Sequence, residues 1–188
     1  MSDTALLIID LQNDYFPGGA MELEGSDAAC KRASEALAAF RAKQLPVFHV
    51  QHLSVRPGAT FFIPGTKGAE IHEAVRPAQG EAVVQKNFPN SFRATDLKQR
   101  LDAAGVKHLV VAGMMTSLCV DATVRQAADL GYRVTLMADA CATRTLSYGG
   151  ESVPAKQVHA AFLAALSGLY AKVQPAADAI QTLQGDKP

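Results

Sequence analysis

Three side chains in this sequence have types and positions that suit chemistry: Asp10, Lys86 and Cys119. Asp10 ends the apolar run ALLIID (5–10), and Lys86 ends AVVQK (82–86). Cys119 follows HLVVAG (108–113) in the stretch AGMMTSLCVDAT. An acid, an ammonium and a thiol are a working set for nucleophilic catalysis. The thiolate is the nucleophile, and a nearby lysine stabilises it. The carboxylate can accept the thiol proton and later deliver it to a leaving amine. Cys119 also opens a predicted helix, 119–130, where free N–H groups and the helix dipole favour an anion. Backbone N–H groups in the tight turn from Met115 to Cys119 suit the oxyanion of a tetrahedral intermediate. The chemistry is then hydrolysis of an amide-like bond through a thioester. Each residue has an inert reading as well. Asp10 can cap the turn DLQND, Lys86 can be a solvated strand-end lysine, and Cys119 can be a packed small hydrophobe.

The elements that must position these residues are legible from their patterns. Six short apolar runs read as strands: 5–10, 46–51, 82–86, 108–113, 133–139 and 171–174. Several are continuously apolar, as parallel strands covered on both faces are. Helical patterns lie between them at 26–42, 95–104, 119–130 and 154–169. AAGVKHLVV and DLGYRVTLM each read as helix end, glycine, strand. The alternation predicts a single α/β domain over residues 1–188: a three-layer α/β/α, Rossmann-like fold with a six-stranded, mainly parallel sheet. In such sheets ligands bind beyond the carboxyl ends of the strands, where strand order reverses. Asp10, Lys86 and Cys119 all fall at that edge.

Residues 53–80 break the alternation. They hold Pro57, Pro64, Pro77 and the adjacent Phe61 and Phe62. This flap-like insertion reads as a cover over a pocket, an oligomer contact or an ordinary packed excursion. Tyr15, Phe16 and Phe88 sit in turns near the predicted site and suit an aromatic wall, which Phe61 and Phe62 would close. Gln12 and Asn13 are placed to contact a substrate or to stabilise their turn. The substrate-binding set expected from the sequence is Gln12, Phe16 and Phe88.

Composition narrows the function classes. Eighteen basic and 18 acidic residues cancel without clustering, which argues against a nucleic-acid footprint and a polybasic membrane surface. No apolar run reaches the length of a membrane span, and MSDTALLIID lacks the basic start of a secretory signal. Three cysteines form no even framework, so Cys30 and Cys141 read as structural thiols and the setting as cytoplasmic. The expected partner is a small molecule, with no nucleic acid, no membrane and no cofactor.

IIDLQNDYFPGG, QKNFPNSF and VVAGMMTSLCVDATVRQAADLGYRVTLMADACAT resemble the isochorismatase-like cysteine hydrolases, a superfamily that includes nicotinamidases. The similarity runs from about Ala5 to Val173. It implies an Asp–Lys–Cys triad on Asp10, Lys86 and Cys119, and an oxyanion hole of the Met115 and Cys119 backbone N–H groups. It also implies a cis peptide between Met114 and Met115, and a homodimer or homotetramer. Nicotinamidases carry an Asp-x-His metal site after the second strand, where this chain has Gln51. His49, His52 and His72 remain as possible zinc ligands. His49 and His52 lie three apart on a strand and so face opposite ways, and the expectation is hydrogen-bonded histidines with no metal. Isochorismatases of the superfamily cleave a vinyl ether with the aspartate and lack the cysteine. The presence of Cys119 favours a small amide, lactam or ureide as substrate. The rivals are an ether hydrolase that uses Asp10 alone and a non-catalytic binding or redox-sensing protein.

Overall fold

The structure is a computed structural model of the chain and describes residues 3–185. Five long parallel strands, β1 (Thr4–Ile9), β2 (Val47–His52), β3 (Ala82–Lys86), β4 (His108–Met114) and β5 (Arg133–Ala142), carry the fold. A small hairpin, β6 (Leu146–Tyr148) and β7 (Glu151–Val153), precedes the last sheet strand, β8 (Lys172–Gln174). The helices are α1 (Ser26–Ala42), α2 (Leu97–Ala103), α3 (Asp121–Asp129), α4 (Ala155–Leu166) and α5 (Ala176–Gly185). The six-stranded sheet runs β3-β2-β1-β4-β5-β8, with every pair parallel.

Two apolar layers sandwich the sheet. Leu6 and Ile8 of β1, with Val110 and Ala112 of β4, pack against Ala33, Leu37 and Phe40 of α1. Their neighbours Leu7, Ile9, Leu109 and Val111 point the other way, against Leu97 and Leu101 of α2 and Val124 of α3. This alternation explains why the strands are apolar at every position: both faces of a central parallel strand are covered. Each such Leu or Ile contributes about 1.5–3 kcal/mol by leaving water. Leu7→Ala, at a site with no exposure, would cost about 2–5 kcal/mol.

The chain builds β1, moves outward to β2 and β3, then crosses back to β4 on the other side of β1. The order therefore reverses between β1 and β4, and a crevice opens beyond their carboxyl ends. Gly113 brings these two ends together. Its φ is +146°, and a Cβ there would stand 2.1 Å from the Ile9 carbonyl oxygen, so no larger residue allows the approach. Directly after β1, Asp10 turns out of the sheet with φ +52°, a left-handed conformation that aspartate tolerates better than most residues. Its N–H donates to the Val50 carbonyl at 3.0 Å, and its carbonyl accepts from Gln12 N at 2.9 Å. The strain thus sits at the residue whose carboxyl faces the crevice.

Two expectations shift. Cys119 does not open α3. It lies in a wide turn, Thr116–Val120, in which Leu118 N and Val120 N both donate to the Met115 carbonyl at 3.1 Å. Such π-type turns widen a helix where a side chain must be presented. The β6–β7 hairpin and α5 lie outside the predicted elements. The 53–80 insertion packs onto the domain: Phe62 and Val75 are fully buried, and two short helical turns, Lys67–Ala69 and Glu73–Val75, punctuate it.

Candidate active site

The carboxyl ends of four adjacent strands converge. The Lys86 Nζ donates to Asp10 Oδ2 at 2.7 Å and lies 3.0 Å from the His52 Nδ1. Ligand atoms of Asp10, His52 and Cys119 all lie within 4.8 Å of one another. Asp10, Lys86 and Cys119 are each at most 2% exposed. The register explains the meeting. His52 is paired with Lys86 across β2 and β3, and Ile9, before Asp10, is paired with Gly113 of β4.

The electrostatics of the cluster are set by burial and by its own charges. Burial opposes the charge on Lys86, but Asp10 and Cys119 more than offset it, and the ammonium is held above its ordinary range. Burial pushes the Cys119 thiol far up; Asp10 adds to this and Lys86 opposes it. Removal from water thus outweighs the lysine and favours the neutral thiol, and the wide turn places Cys119 before α3 rather than at its first residue. Burial, then Lys86, pushes His52 down to about 4, so this imidazole is neutral at pH 7 and its Nδ1 accepts a hydrogen bond from the Lys86 ammonium. Asp10 Oδ1 is buried without a hydrogen-bond partner, which leaves one carboxylate oxygen able to receive a proton.

Cys119 opens onto a cavity of about 440 Å³. Tyr15, Phe61, Phe62 and Phe88 form its aromatic wall, with Leu118 and His52 beside them. The insertion supplies part of this wall and is fastened in place. Asp14 accepts from Phe62 N at 2.6 Å and from Ala20 N at 3.2 Å, and Gly68 packs on its carboxylate so tightly that a Cβ would come within 2.1 Å. Phe62 then meets Tyr15 edge-on at 4.6 Å between ring centroids.

The structure brings together Asp10, Lys86 and Cys119, and sets Phe88 against the cavity. It does not bring Gln12 or Phe16 there. The fully buried Gln12 donates to the His52 and Ala69 carbonyls, each at 2.8 Å, and accepts from His52 N at 2.7 Å. It is turned inward because the turn after β1 folds back onto β2, and it clamps His52 and the insertion. Phe16 stacks on His72 at 3.9 Å in the core beside α1. Met115 precedes the wide turn and Cys119 lies within it, and the peptide bond between Met114 and Met115 is cis.

A model of the isochorismatase domain matches residues 4–178. The chain belongs to the isochorismatase family of hydrolases. It is similar to the isochorismatase-family protein YddQ of Bacillus subtilis, with 53% identity over 91% of this chain and 95% of that one. A solved structure of an isochorismatase hydrolase from Oleispira antarctica superposes with a TM-score of 0.92 at 51% identity, covering 95% of this chain and 96% of the other. A maleamate amidohydrolase from Pseudomonas putida is 31% identical over 96% of this chain and 86% of its own length.

In this isochorismatase-family chain the three weighed histidines occupy three different surroundings. His49 lies 2.8 Å from Glu81, and His72 accepts from Ala74 N and faces Cys30. Among the described residues, the group spaced to hold a metal is Asp10, His52 and Cys119, a donor set that zinc accepts. The Lys86 ammonium already lies against two of these three, so a cation there would have to displace it. Cys141 pairs with Gly113 in the strand register and lines a separate cavity of about 180 Å³; burial pushes its thiol up to about 12.

Sequence reasoning weighed His52 as a metal ligand and favoured a hydrogen-bonded structural histidine, without placing it beside Lys86. Its position as the last residue of β2, between the ends of β1 and β3, was the available signal. Arg56 and Arg93, which also line the cavity, lie in irregular segments that carry no periodic signal.

Proposed function

We propose that this protein hydrolyses the C–N bond of a small amide, lactam or ureide through a thioester on Cys119. The observation that carries this reading is the meeting of a neutral thiol, a carboxylate with an open oxygen and a lysine at the end of one cavity. Asp10 takes the thiol proton as sulfur attacks the carbonyl carbon, which avoids a free thiolate in a site that disfavours one. Lys86 holds the charge of the cluster through this transfer. The N–H groups of Met115 and Cys119 receive the oxyanion. Collapse breaks the C–N bond, and the proton on Asp10 passes to the departing nitrogen. Water then loses a proton to Asp10 and attacks the thioester, releasing the acid and restoring the thiol. His52 accepts from Lys86 and keeps the ammonium aimed at Asp10. The protein works in this reading as a homodimer or homotetramer acting on a small molecule, without a cofactor.

The test is ammonia or amine release from a panel of small amides, lactams and ureides by wild type, Cys119→Ala and Asp10→Asn. The proposal expects turnover by wild type and none by either variant. Amine release that survives Cys119→Ala but not Asp10→Asn would replace it with an aspartate-driven hydrolysis that forms no thioester.

A further inference from the structure

The turn around Cys119 is held from behind as well as from within. From within, the Met115 carbonyl accepts from Leu118 N and Val120 N, both at 3.1 Å. From behind, the Thr116 hydroxyl lies 2.9 Å from Nδ1 of His159 on α4, which packs against the turn. Thr116 has no exposure, and this is the bond that satisfies its hydroxyl. His159 lies outside the catalytic cavity: it lines the separate space of about 180 Å³ with Cys141.

The ring's other partner fixes the direction of that bond. Burial lowers the imidazole, against a hydrogen bond to the Ala138 carbonyl of β5, and the ring is neutral at pH 7. A carbonyl only accepts, so the ring proton faces Ala138. Nδ1 is then the acceptor, and the Thr116 hydroxyl donates to it. One tautomer of His159 thus ties the turn to β5.

The Met115 and Cys119 N–H groups must converge on one oxygen, and the Met115–Thr116 peptide is a joint of the chain between them. Its carbonyl is held by the two donors of the turn, and its Thr116 end by His159. An oxyanion donor acts at about 3 Å from where the charge develops, so a small swing of this joint is felt in the transition state.

We propose that His159 is a positioning residue for the oxyanion hole: by accepting from Thr116, it holds the joint that keeps the Met115 N–H converged with that of Cys119. This rests on the hydrolase reading above and adds to it a residue outside the cavity. The bond counts when the oxyanion forms and not when substrate binds, so its loss lowers kcat and leaves KM in place.

The experiment follows two reactions of Cys119 by intact-protein and peptide mass. Acylation by p-nitrophenyl acetate passes through an oxyanion: sulfur adds to the ester carbon and p-nitrophenolate leaves. Alkylation by iodoacetamide displaces iodide and forms none. Thr116→Val removes the donor. His159→Gln keeps a donor for Ala138 and loses the acceptor, whereas the Oδ1 of His159→Asn accepts where Nδ1 did. Thr116→Val and His159→Gln should each slow acylation by roughly 10- to 100-fold, the scale of a slightly misplaced oxyanion donor, with alkylation at its wild-type rate. The double variant should be no slower than either one, since both break the same bond. Thr116→Ser and His159→Asn should keep most of the rate. With an amide that wild type turns over, the same order should appear in kcat at unchanged KM. Acylation and alkylation slowed together would overturn the inference, as would His159→Asn no faster than His159→Gln, or acylation undiminished in both Thr116→Val and His159→Gln. Each of these leaves the thioester mechanism standing. Wild-type Cys119 that is alkylated but never acylated would instead defeat the hydrolase reading, and the inference with it.

Discussion

β2 carries two histidines three residues apart, and the clusters around them are built oppositely. At His49 the shared partner is an acid: Glu81 lies 2.8 Å from the imidazole, accepts from Arg41 Nε at 2.7 Å and also accepts from Ala78 N. At His52 the shared partner is a cation, Lys86, between the imidazole and Asp10. The first cluster encloses its acid with donors, and the Arg41 bond, against the cost of burial, pulls the Glu81 carboxyl down to about 2. The second leaves one oxygen of its acid unpartnered and sets that acid beside a thiol at a cavity. Similar residue types thus make a fastening in one place and a reactive centre in the other. The difference lies in which member is shared and in whether both oxygens of the acid are used: both Glu81 oxygens have donors, and the unpartnered atom of that cluster is the buried Nδ1 of His49.

Breaking the reactive cluster should have the largest effect. Cys119→Ala should lower kcat/KM by on the order of 10⁴-fold or more, since covalent catalysis cannot proceed without its nucleophile. Thermal unfolding of that variant should stay close to wild type, and ammonia-release assays beside calorimetry would separate the two.

Lys86→Met removes the partner of a buried carboxylate and should destabilise by about 3–5 kcal/mol in urea titration. Adding Asp10→Asn to it should return most of that stability and none of the activity, because no buried charge is then left alone. A double variant as unstable as the single one would show that Lys86 acts by packing instead.

Glu81→Ala sharpens the contrast from the other side. It should cost about 1–3 kcal/mol of stability, the scale of an unsatisfied buried group, and leave kcat/KM unchanged. The depressed Glu81 value gives a stabilisation present above pH ~4.5 and lost as pH falls towards about 2, so the variant should flatten that limb of a Tm-against-pH curve.

The smallest effect concerns His52. Its folded value, about 4, lies below the ordinary imidazole value, so the unfolded chain binds the proton first as pH falls. Stability associated with neutral His52 is present above pH ~6.5 and lost down to about 4. His52→Gln should reduce that slope. It should not remove it, because burial lowers His49 in the same sense.

The reactive half of this contrast was largely legible before the fold was known, and the Glu81 fastening was not. Asp10, Lys86 and Cys119 stand where apolar runs end, and parallel sheets gather such ends at one edge. The central strands follow from continuous Val, Leu and Ile, as cover on both faces of the sheet requires, and the edge strands β3 and β8 are shorter and more polar. What stayed hidden depended on how loops fold back. Gln12 looks like a contact residue in a polar turn, yet its amide is used up holding β2 and the insertion. Phe16 and Phe88 are alike on paper, and only the path of the chain sends one to the core and the other to the cavity. The turn read at Met115–Cys119 extends to Val120, and nothing in its composition signals that α3 starts only at Asp121. The hairpin β6–β7 is too short for its alternation to register.

The central claim is that Cys119 carries the acyl group between two half-reactions. The most direct measurement is intact-protein mass after acid quench of a brief reaction with a turned-over amide. A mass increase equal to the acyl group, mapped to the Cys119 peptide and released by hydroxylamine, is the predicted result. Product formed at full rate with no adduct on Cys119 at any quench time, and undiminished in Cys119→Ala, would contradict it.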